Sequence, residues 1–518
     1  MPLPRTLRYW RRWHGRYPPS LRRSPQVPTN KDNPRTAPPS LERTPWEAQI
    51  VSQPFPDHPF LTGSFAPILF EADAYDLPIR GEVPKDLRGT LYRNSPNPQF
   101  APRDKNYHWF LGDGMVHAFR IEDGRVSYRN RWVQTPKLLL ERAAHRALFG
   151  SWGNPNSTDP SAFGKDSGVA NTSIVIHAGK VFACEEAHLP FEIDPQSIAS
   201  RGYWDFGGAS KTGRFTAHPK IDPATGEMLF FGYSIGGPFT NTIAYGFVDK
   251  SGKLTRMERF DAPYSSFTHD FLVTQNHLLF PILPLAASFE RAKMGQSAFA
   301  WEPDKGGYIG IVRRDASPSQ MRWFRCDPCY VYHAMNAYED GDRIIAHVMQ
   351  YQVAPLFPQP GTTVVDPAKS QAQLHRWTFN LADSTDDFKR EQTDDLSGDF
   401  PRLDERFALN PYRYGYFAAR AGAGVLGFDM LASYDFKTGK RATYAIPKGD
   451  AFSEPGFVPR GANANEGDGY LLATIYRATE KRSDLAIFDA MTLADGPIAL
   501  AELSHRVTLG FHGNWLVA

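Results

Sequence analysis

VHAFRIEDGRVSYRNRWV, residues 116–133, reads as two extended runs around a tight turn. Val, Ile, Phe, Tyr and Trp fill both runs, and Asp123-Gly124 between them is a pair that tolerates the positive φ of a two-residue hairpin. The same grammar recurs in SIVIHAGKVFACEE, AYGFVDKSGKL, EDGDRIIAHVMQYQV and LASYDFKTGKRATYAI, with HAGK, KSGK, DGDR and KTGK as their turns. GTLYRNS, EMLFFGYS, HLLFPI, YLLATIYR and DLAIFDA add further strand-like runs. The chain is therefore all-β. Over the roughly 460 residues from Pro54 onward there are too many strands for one sandwich, whereas four-stranded blades arranged radially house them without long exposed edges. The blades do not repeat in sequence, so the propeller is read from strand count and spacing. PKLLLERAAHRALFG (136–150) breaks the pattern with a helical period, and this segment is expected on top of the β scaffold.

Composition narrows the class. Of 518 residues, 41% are apolar and 13% aromatic, which supplies a sizeable core and excludes disorder for most of the chain. The net charge of +2 conceals an arginine-rich, acid-free beginning, MPLPRTLRYWRRWHGRYPPSLRRSPQ, that leaves the body near neutral and gives no footprint for nucleic acid. Residues 1–45 form a basic, Pro-rich tail ahead of a domain at 46–518. The tail is expected to be disordered or a short amphipathic helix carrying Leu3, Leu7, Trp10, His14 and Tyr17 on one side. Peripheral membrane contact and organelle targeting are both open readings of it. Three cysteines, Cys184, Cys326 and Cys329, are too few for a disulfide framework and favour a reducing compartment, the cytoplasm. Cys326-Asp-Pro-Cys329 lacks a second pair to complete a zinc site and reads as packing. LLFPILPLAA (278–287) is about half the ~20 residues of a membrane span, so no transmembrane helix is expected.

Among fifteen histidines, four share a context. His218 in GRFTAHPKIDP, His269 in SSFTHDFLVT, His333 in YVYHAMNAYE and His512 in LGFHGNW each follow a β-branched or aromatic stretch and precede a turn or small residue. That is the inner end of a blade, where it meets the axis. Converging imidazoles would form a metal site suited to Zn, Cu, Fe or Ni. Neutral ligands leave the charge of the ion uncompensated, so carboxylates are expected behind them, and Glu186, Asp399 and Glu454 lie among apolar neighbours.

GTLYRNSPNPQF, HWFLGDGMVHAF, ANTSIVIHAGKVFACEEAHLPFEIDP, FTAHPKIDPATGEMLFFGY, FTHDFLVT, VYHAMNAYE, FSEPGFVPR, EGDGYLLATIY and FHGNW together resemble the carotenoid cleavage oxygenases, from about residue 60 to the end. The resemblance implies a seven-bladed β-propeller capped by helices and loops, with one Fe(II) per chain held by His218, His269, His333 and His512. It places Glu186 behind His269, Asp399 behind His333 and Glu454 behind His512. Asp399 departs from the family's more frequent Glu, and its shorter side chain leaves a direct bond or a water bridge to His333 both open. His108, His117, His188, His277 and His505 read as structural.

The implied reaction is O2-dependent scission of a C=C bond to two carbonyl products. The alkene supplies all four electrons, so no reductant is needed, and neither GDGMVH nor AGAGVLG is a nucleotide fingerprint. No catalytic side chain is implied beyond the metal centre. SWGNPNSTDPS and EKRSDLAIFDA look most like the branch that includes stilbene and phenylpropenoid cleavers, in which a Tyr and a Lys grip a 4-hydroxyl. Here Trp152 and Glu185 stand at those positions, with Phe110 a third substrate-binding residue. A carboxylate repels a phenolate, so the exchange favours an apolar carotenoid or apocarotenoid polyene. An aromatic alkene is the alternative, and a non-cleaving carotenoid-binding propeller or an isomerase is the alternative of another class.

Overall fold

The computed structural model describes residues 53–518 apart from 106, 152–154, 211, 363 and 423–426. The tail at 1–45 and Trp152 lie outside the described residues. At the opening hairpin, Gly114–Glu122 pairs antiparallel with Arg125–Trp132, and Asp123 and Gly124 take φ of 51° and 76°. Ala178 and Gly179 repeat this at 50° and 74°. Two left-handed residues give the turn a twist that matches its strands. Along Arg125–Trp132 burial alternates, with Val126, Tyr128, Asn130 and Trp132 turned inward. The middle strand Gly469–Arg477 is buried almost throughout because it packs on both faces.

The described strands form seven sheets of four or more strands, plus the two-stranded ribbon of Leu285–Ala287 with Phe299–Trp301. Numbered along the chain, blade 2 covers Ser173–Tyr203, blade 3 Lys220–Asp261, blade 4 Leu272–Cys326, blade 5 Tyr330–Gln392 and blade 6 Gly398–Ala445. Two exchanges close the ring. The last strand, Gly513–Val517, pairs with Gly89–Pro96 inside blade 1, setting Gly513 opposite Arg93. Ile79–Gly81, from near the start, pairs with Ala499–Glu502 in blade 7. Both ends of the domain are thus held by strand ladders, and the sheet edges they would leave open are covered.

Apolar packing lies between neighbouring blades. The largest cluster, around Ile344, Trp377, Phe379 and Phe324, joins blades 4, 5 and 6. Burying a side chain of this size contributes on the order of 1.5–3 kcal/mol, so stability resides in the blade-to-blade faces. The axis is left to short, irregular inner strands. The segment expected to be helical at 136–150 forms a helix only over Pro136–Ala144, with the Thr135 side chain accepting from Leu138 N–H. It stops early because His145 turns left-handed at φ 53° and the Arg146 N–H folds back to Glu141. The Glu141 carboxylate then takes Leu148 N–H at 2.8 Å and Lys137 Nζ at 2.8 Å, fixing the following loop. No helix among the described residues is long and apolar enough to cross a membrane.

One polar joint fixes the strand that carries His333. Glu339, near the outer end of Tyr330–Asp340, accepts from the Thr274 hydroxyl, from Asn276 N at 3.0 Å and Nδ2 at 2.7 Å, and from His277 Nδ1 at 2.8 Å. Burial alone would raise the Glu339 pKa; the bonds from Thr274, Asn276 and His277 overcome it and bring the carboxyl down to about 2. A depressed carboxyl stabilises the fold above its unfolded pKa and loses that contribution as pH falls through its folded value. Chemical denaturation should therefore show Glu339→Gln less stable than wild type at pH 7, with the gap closing from about pH 4.5 toward pH 2. A gap independent of pH would refute the assignment.

Candidate metal centre

All seven blades send one polar residue to the axis. His512 precedes the closing strand of blade 1, His218 the inner strand of blade 3 and His269 that of blade 4, while His333 lies within Tyr330–Asp340 of blade 5. Glu186 follows Lys180–Cys184 in blade 2, Asp399 lies in Gly398–Leu403 of blade 6, and Glu454 sits between Ala451–Phe452 and Gly456–Pro459 of blade 7. The ladders of His333 and Asp399 both shift register at that point, and Phe400 takes φ 57°. Such bulges bend a strand and re-aim its side chains. Gly513 opens the closing strand, and glycine is needed there for close approach: a Cβ would fall 2.4 Å from the Tyr92 carbonyl oxygen.

The four imidazoles converge with one ligand atom each, all within 4.8 Å of one another. Nε2 of His269 lies 3.0 Å from that of His218 and 3.1 Å from that of His333, which is 3.1 Å from that of His512. Ligands at right angles around a metal with bonds of roughly 2.1 Å fall about 3.0 Å apart, whereas a tetrahedral site spreads them to about 3.4 Å. The spacing fits a metal with further positions open. Three rings are aimed from behind. His269 Nδ1–H donates to Glu186, His333 to Asp399 at 2.8 Å and His512 to Glu454 at 2.9 Å. The shorter Asp399 therefore reaches His333 directly, without a water, because the bulged strand brings its backbone nearer the axis.

Each carboxylate has its own support. Glu186 accepts from the Tyr233 hydroxyl at 2.7 Å, Asp399 from the Tyr351 hydroxyl and Phe400 N–H, and Glu454 from Gly513 N–H at 2.9 Å. Arg93 and Arg402 stand 3.6 Å and 3.4 Å from Glu454. Burial raises the Glu454 pKa, but Arg402, His512 and Arg93 bring it to about 2, so it stays ionised. Burial and the neighbouring imidazoles push His218 well below its ordinary value, and burial takes His512 down to about 4 against the pull of Glu454. A cation requires neutral rings, and burial favours that form at His218 and His512, whereas at His333 burial is outweighed by the attraction of Asp399, which raises the pKa.

Two kinds of space meet at this centre. On one side the His269, His333 and His512 rings floor a cavity of about 120 Å³ walled by Phe110, Phe267, Tyr332, Phe400, Phe428 and Phe511. It opens past Phe110, Glu185 and Ala187 into an outer cavity of about 490 Å³. On the other side, His218, His333 and His512 face an axial cavity of about 350 Å³ with Lys220, Asp270 and Arg402 among otherwise largely apolar walls. The structure thus brings together every expected residue that it describes: four histidines, three carboxylates, and Phe110 and Glu185. The tyrosines behind Glu186 and Asp399 and the arginines beside Glu454 were not foreseen. RNSPN and DFPRLDE gave only the signal of arginines near apolar runs, and LFFGYS and VMQYQV that of tyrosines spaced like core residues.

Four imidazoles on the axis of a seven-bladed propeller, floored under an aromatic cavity, define a metal-dependent enzyme class. The chain matches the RPE65 family, retinal pigment epithelial membrane protein, over residues 65–517. It is 41% identical over 468 residues to isoeugenol monooxygenase of Pseudomonas putida, covering 88% of this chain and 98% of that protein. It is 36% identical to lignostilbene-alpha,beta-dioxygenase isozyme III of Sphingomonas paucimobilis, covering 89% and 97%. The crystal structure of Pseudomonas brassicacearum lignostilbene dioxygenase superposes with a TM-score of 0.87 at 34% identity, over 90% of this chain and all of that one. The protein belongs to the RPE65, or carotenoid cleavage oxygenase, family, and it is an oxygenase of that kind.

Two tests address the centre. Removing a carboxylate that orients a metal-binding histidine costs about 10–100-fold in metal affinity, so Asp399→Ala should bind metal that much more weakly in competition with a chelator. Unchanged affinity would show that the Asp399–His333 bond is incidental. A chain ending at Leu509 loses both His512 and the closing strand, and should purify without stoichiometric metal; full metal content would remove His512 from the site.

Proposed function

We propose that the axial ion is Fe(II), bound by His218, His269, His333 and His512, and that the enzyme splits the exocyclic C=C bond of an aromatic alkene, a phenylpropenoid or stilbene, with O2. The balance is R–CH=CH–R′ + O2 giving R–CHO and R′–CHO, so no external electron enters. All-imidazole coordination suits iron among other first-row metals, and the open positions favour a redox catalyst over a closed structural zinc. When bound, the iron activates O2 beside the alkene.

The observation that carries the substrate class is the size of the aromatic cavity. An apolar cavity of roughly 150 Å³ takes one benzene ring, and the space over the histidines here is about 120 Å³. That is less than one ring needs, so even a single ring with a short alkenyl group reaches to the waist at Glu185 and Ala187, whereas a polyene would have to run far into the outer cavity. The named activities of the relatives at 41% and 36% identity, isoeugenol and lignostilbene oxidation, support the same class. Weight thus moves from the polyene to the aromatic alkene within the same C=C-cleaving reaction.

The protein's own residues supply position. Phe110, Phe267 and Phe511 present ring faces and edges to a planar substrate, with Phe110 edge-on to Phe511 at 5.3 Å. Tyr233 and Tyr351 keep their hydroxyls on Glu186 and Asp399, so they turn little polarity toward the ring. Restricting a substrate to one pose lowers the barrier substantially, and a slot this narrow sets a single bond over the histidines. Iron-loaded enzyme with isoeugenol, a hydroxystilbene or an apocarotenal, in air and without O2, tests the reading. Aromatic aldehydes that appear only in air and carry label from ¹⁸O2 are expected; cleavage of the apocarotenal alone would overturn it.

A further inference from the structure

His218 is held differently from the other three ligands. Among the described residues no carboxylate takes its Nδ1, and it is the one ligand of the four that is not buried. Its segment has another anchor. Two residues on, past Pro219, Lys220 Nζ donates to Asp270 Oδ1 at 2.7 Å. Proline fixes its own φ and restricts the residue before it, so His218 and Lys220 are stiffly linked. Asp270 itself follows His269, and the bond therefore ties the ligand-bearing segment of blade 3 to that of blade 4.

The same carboxylate reaches blade 5. Its Oδ2 accepts from Ala334 N–H at 2.9 Å, while its Oδ1 also takes Phe271 N–H at 2.8 Å. Ala334 follows His333, and the ladder of this strand with Arg343–Tyr351 shifts register on both sides of it. A bulge leaves backbone groups outside the ladder, and here the blade 4 carboxylate takes one. At His512 a single carboxylate does two jobs: Glu454 accepts from the ring Nδ1–H and from the N–H of the next residue, Gly513. At His333 the jobs are divided, the ring bond going to Asp399 and the backbone bond to Asp270. Asp270 is buried, and three donors on its two oxygens hold it in one orientation.

We propose that Asp270 is a positioning residue for the metal centre: it locks together the backbones that carry His218, His269 and His333, and so sets the near right-angled spacing that leaves coordination positions open. The inference rests on the metal-centre reading and not on the choice of iron or of substrate. Its reach matches the geometry, since the Nε2 atoms of these three rings stand 3.0 Å and 3.1 Å apart in sequence around the site. Asp270 acts through backbone and Lys220, and the ring bonds of Glu186 and Asp399 aim imidazoles on segments that it has already placed.

The full-length protein loaded with Co(II) tests this, because the visible bands of Co(II) gain intensity when a six-coordinate site collapses toward four-coordinate. Affinity is read by competition with a chelator, and stability of the metal-free protein by chemical denaturation. Asp270→Asn should bind Co(II) about 10–100-fold more weakly and intensify the bands. It also removes a negative charge, so the bands decide. Lys220→Met removes a positive charge near the ion, which by charge alone would tighten binding; the expected result is the same band change without tighter binding. Glu339→Gln loosens the His333 strand at its outer end and should lose stability with wild-type bands. Wild-type bands in Asp270→Asn, the same band change in Glu339→Gln, or tighter binding with wild-type bands in Lys220→Met would overturn the inference. Should Asp270→Asn not fold, Lys220→Met and Glu339→Gln decide. A wild type that takes up no Co(II) would refute the metal-centre reading, and this inference with it.

Discussion

The three Nδ1–H to carboxylate bonds behind His269, His333 and His512 are the interaction on which the centre depends. Each fixes a ring so that its Nε2 points at the axis, and the result is nitrogen atoms 3.0–3.1 Å apart. Without a cation such a cluster is repulsive, and the four rings would turn away or protonate. The surrounding charges anticipate the ion. Three carboxylates face two guanidiniums, Arg93 and Arg402, so the shell carries one net negative charge before a divalent metal enters and one net positive charge after it. A buried site within one unit of neutrality in both states avoids most of the cost of isolated charge.

The propeller explains how residues nearly three hundred positions apart reach one point. Apolar packing lies mainly between blades, and the inner strands join it without keeping regular alternation, as the buried run Tyr330–His333 shows. Bulges can then form at His333 and Asp399, and the closing strand can deliver His512 without distorting a sheet. The two strand exchanges that close the ring also fix the ends of the domain against blades 1 and 7, which makes the last ligand as well anchored as those from the middle of the sequence.

Much of this was legible beforehand, for physical reasons that differ by feature. Two-residue turns such as Asp123-Gly124 announce hairpins because few residues tolerate two left-handed positions, and the strand count then excluded a sandwich. The histidines were legible because a ligand at a strand's inner end breaks an apolar run with a polar residue followed by a turn. The residues by themselves could nominate the carboxylates, and only the family resemblance paired them, since Glu186 reaches across blade 3 to His269 in blade 4 and only the closed ring sets that distance. Local sequence also could not show that Asp399 touches His333 directly, because the bulge that shortens the gap depends on register with Tyr414–Ala419. The helical period of 136–150 overstates the helix at Pro136–Ala144 because it continues past His145, whose left-handed backbone and the following Arg146 N–H bond back to the Glu141 carbonyl end the element.

The two sides of the metal differ in kind, and that asymmetry decides what approaches it from where. The axial cavity is lined by Lys220, Asp270 and Arg402, residues that favour water and small polar species, and His218 faces it without a carboxylate behind its ring. The opposite cavity is aromatic, and there the polar side chains are turned outward onto partners of their own. An alkene has reason to enter only from the aromatic side, where desolvation costs it nothing, and the side chain that meets it first at the waist is Glu185.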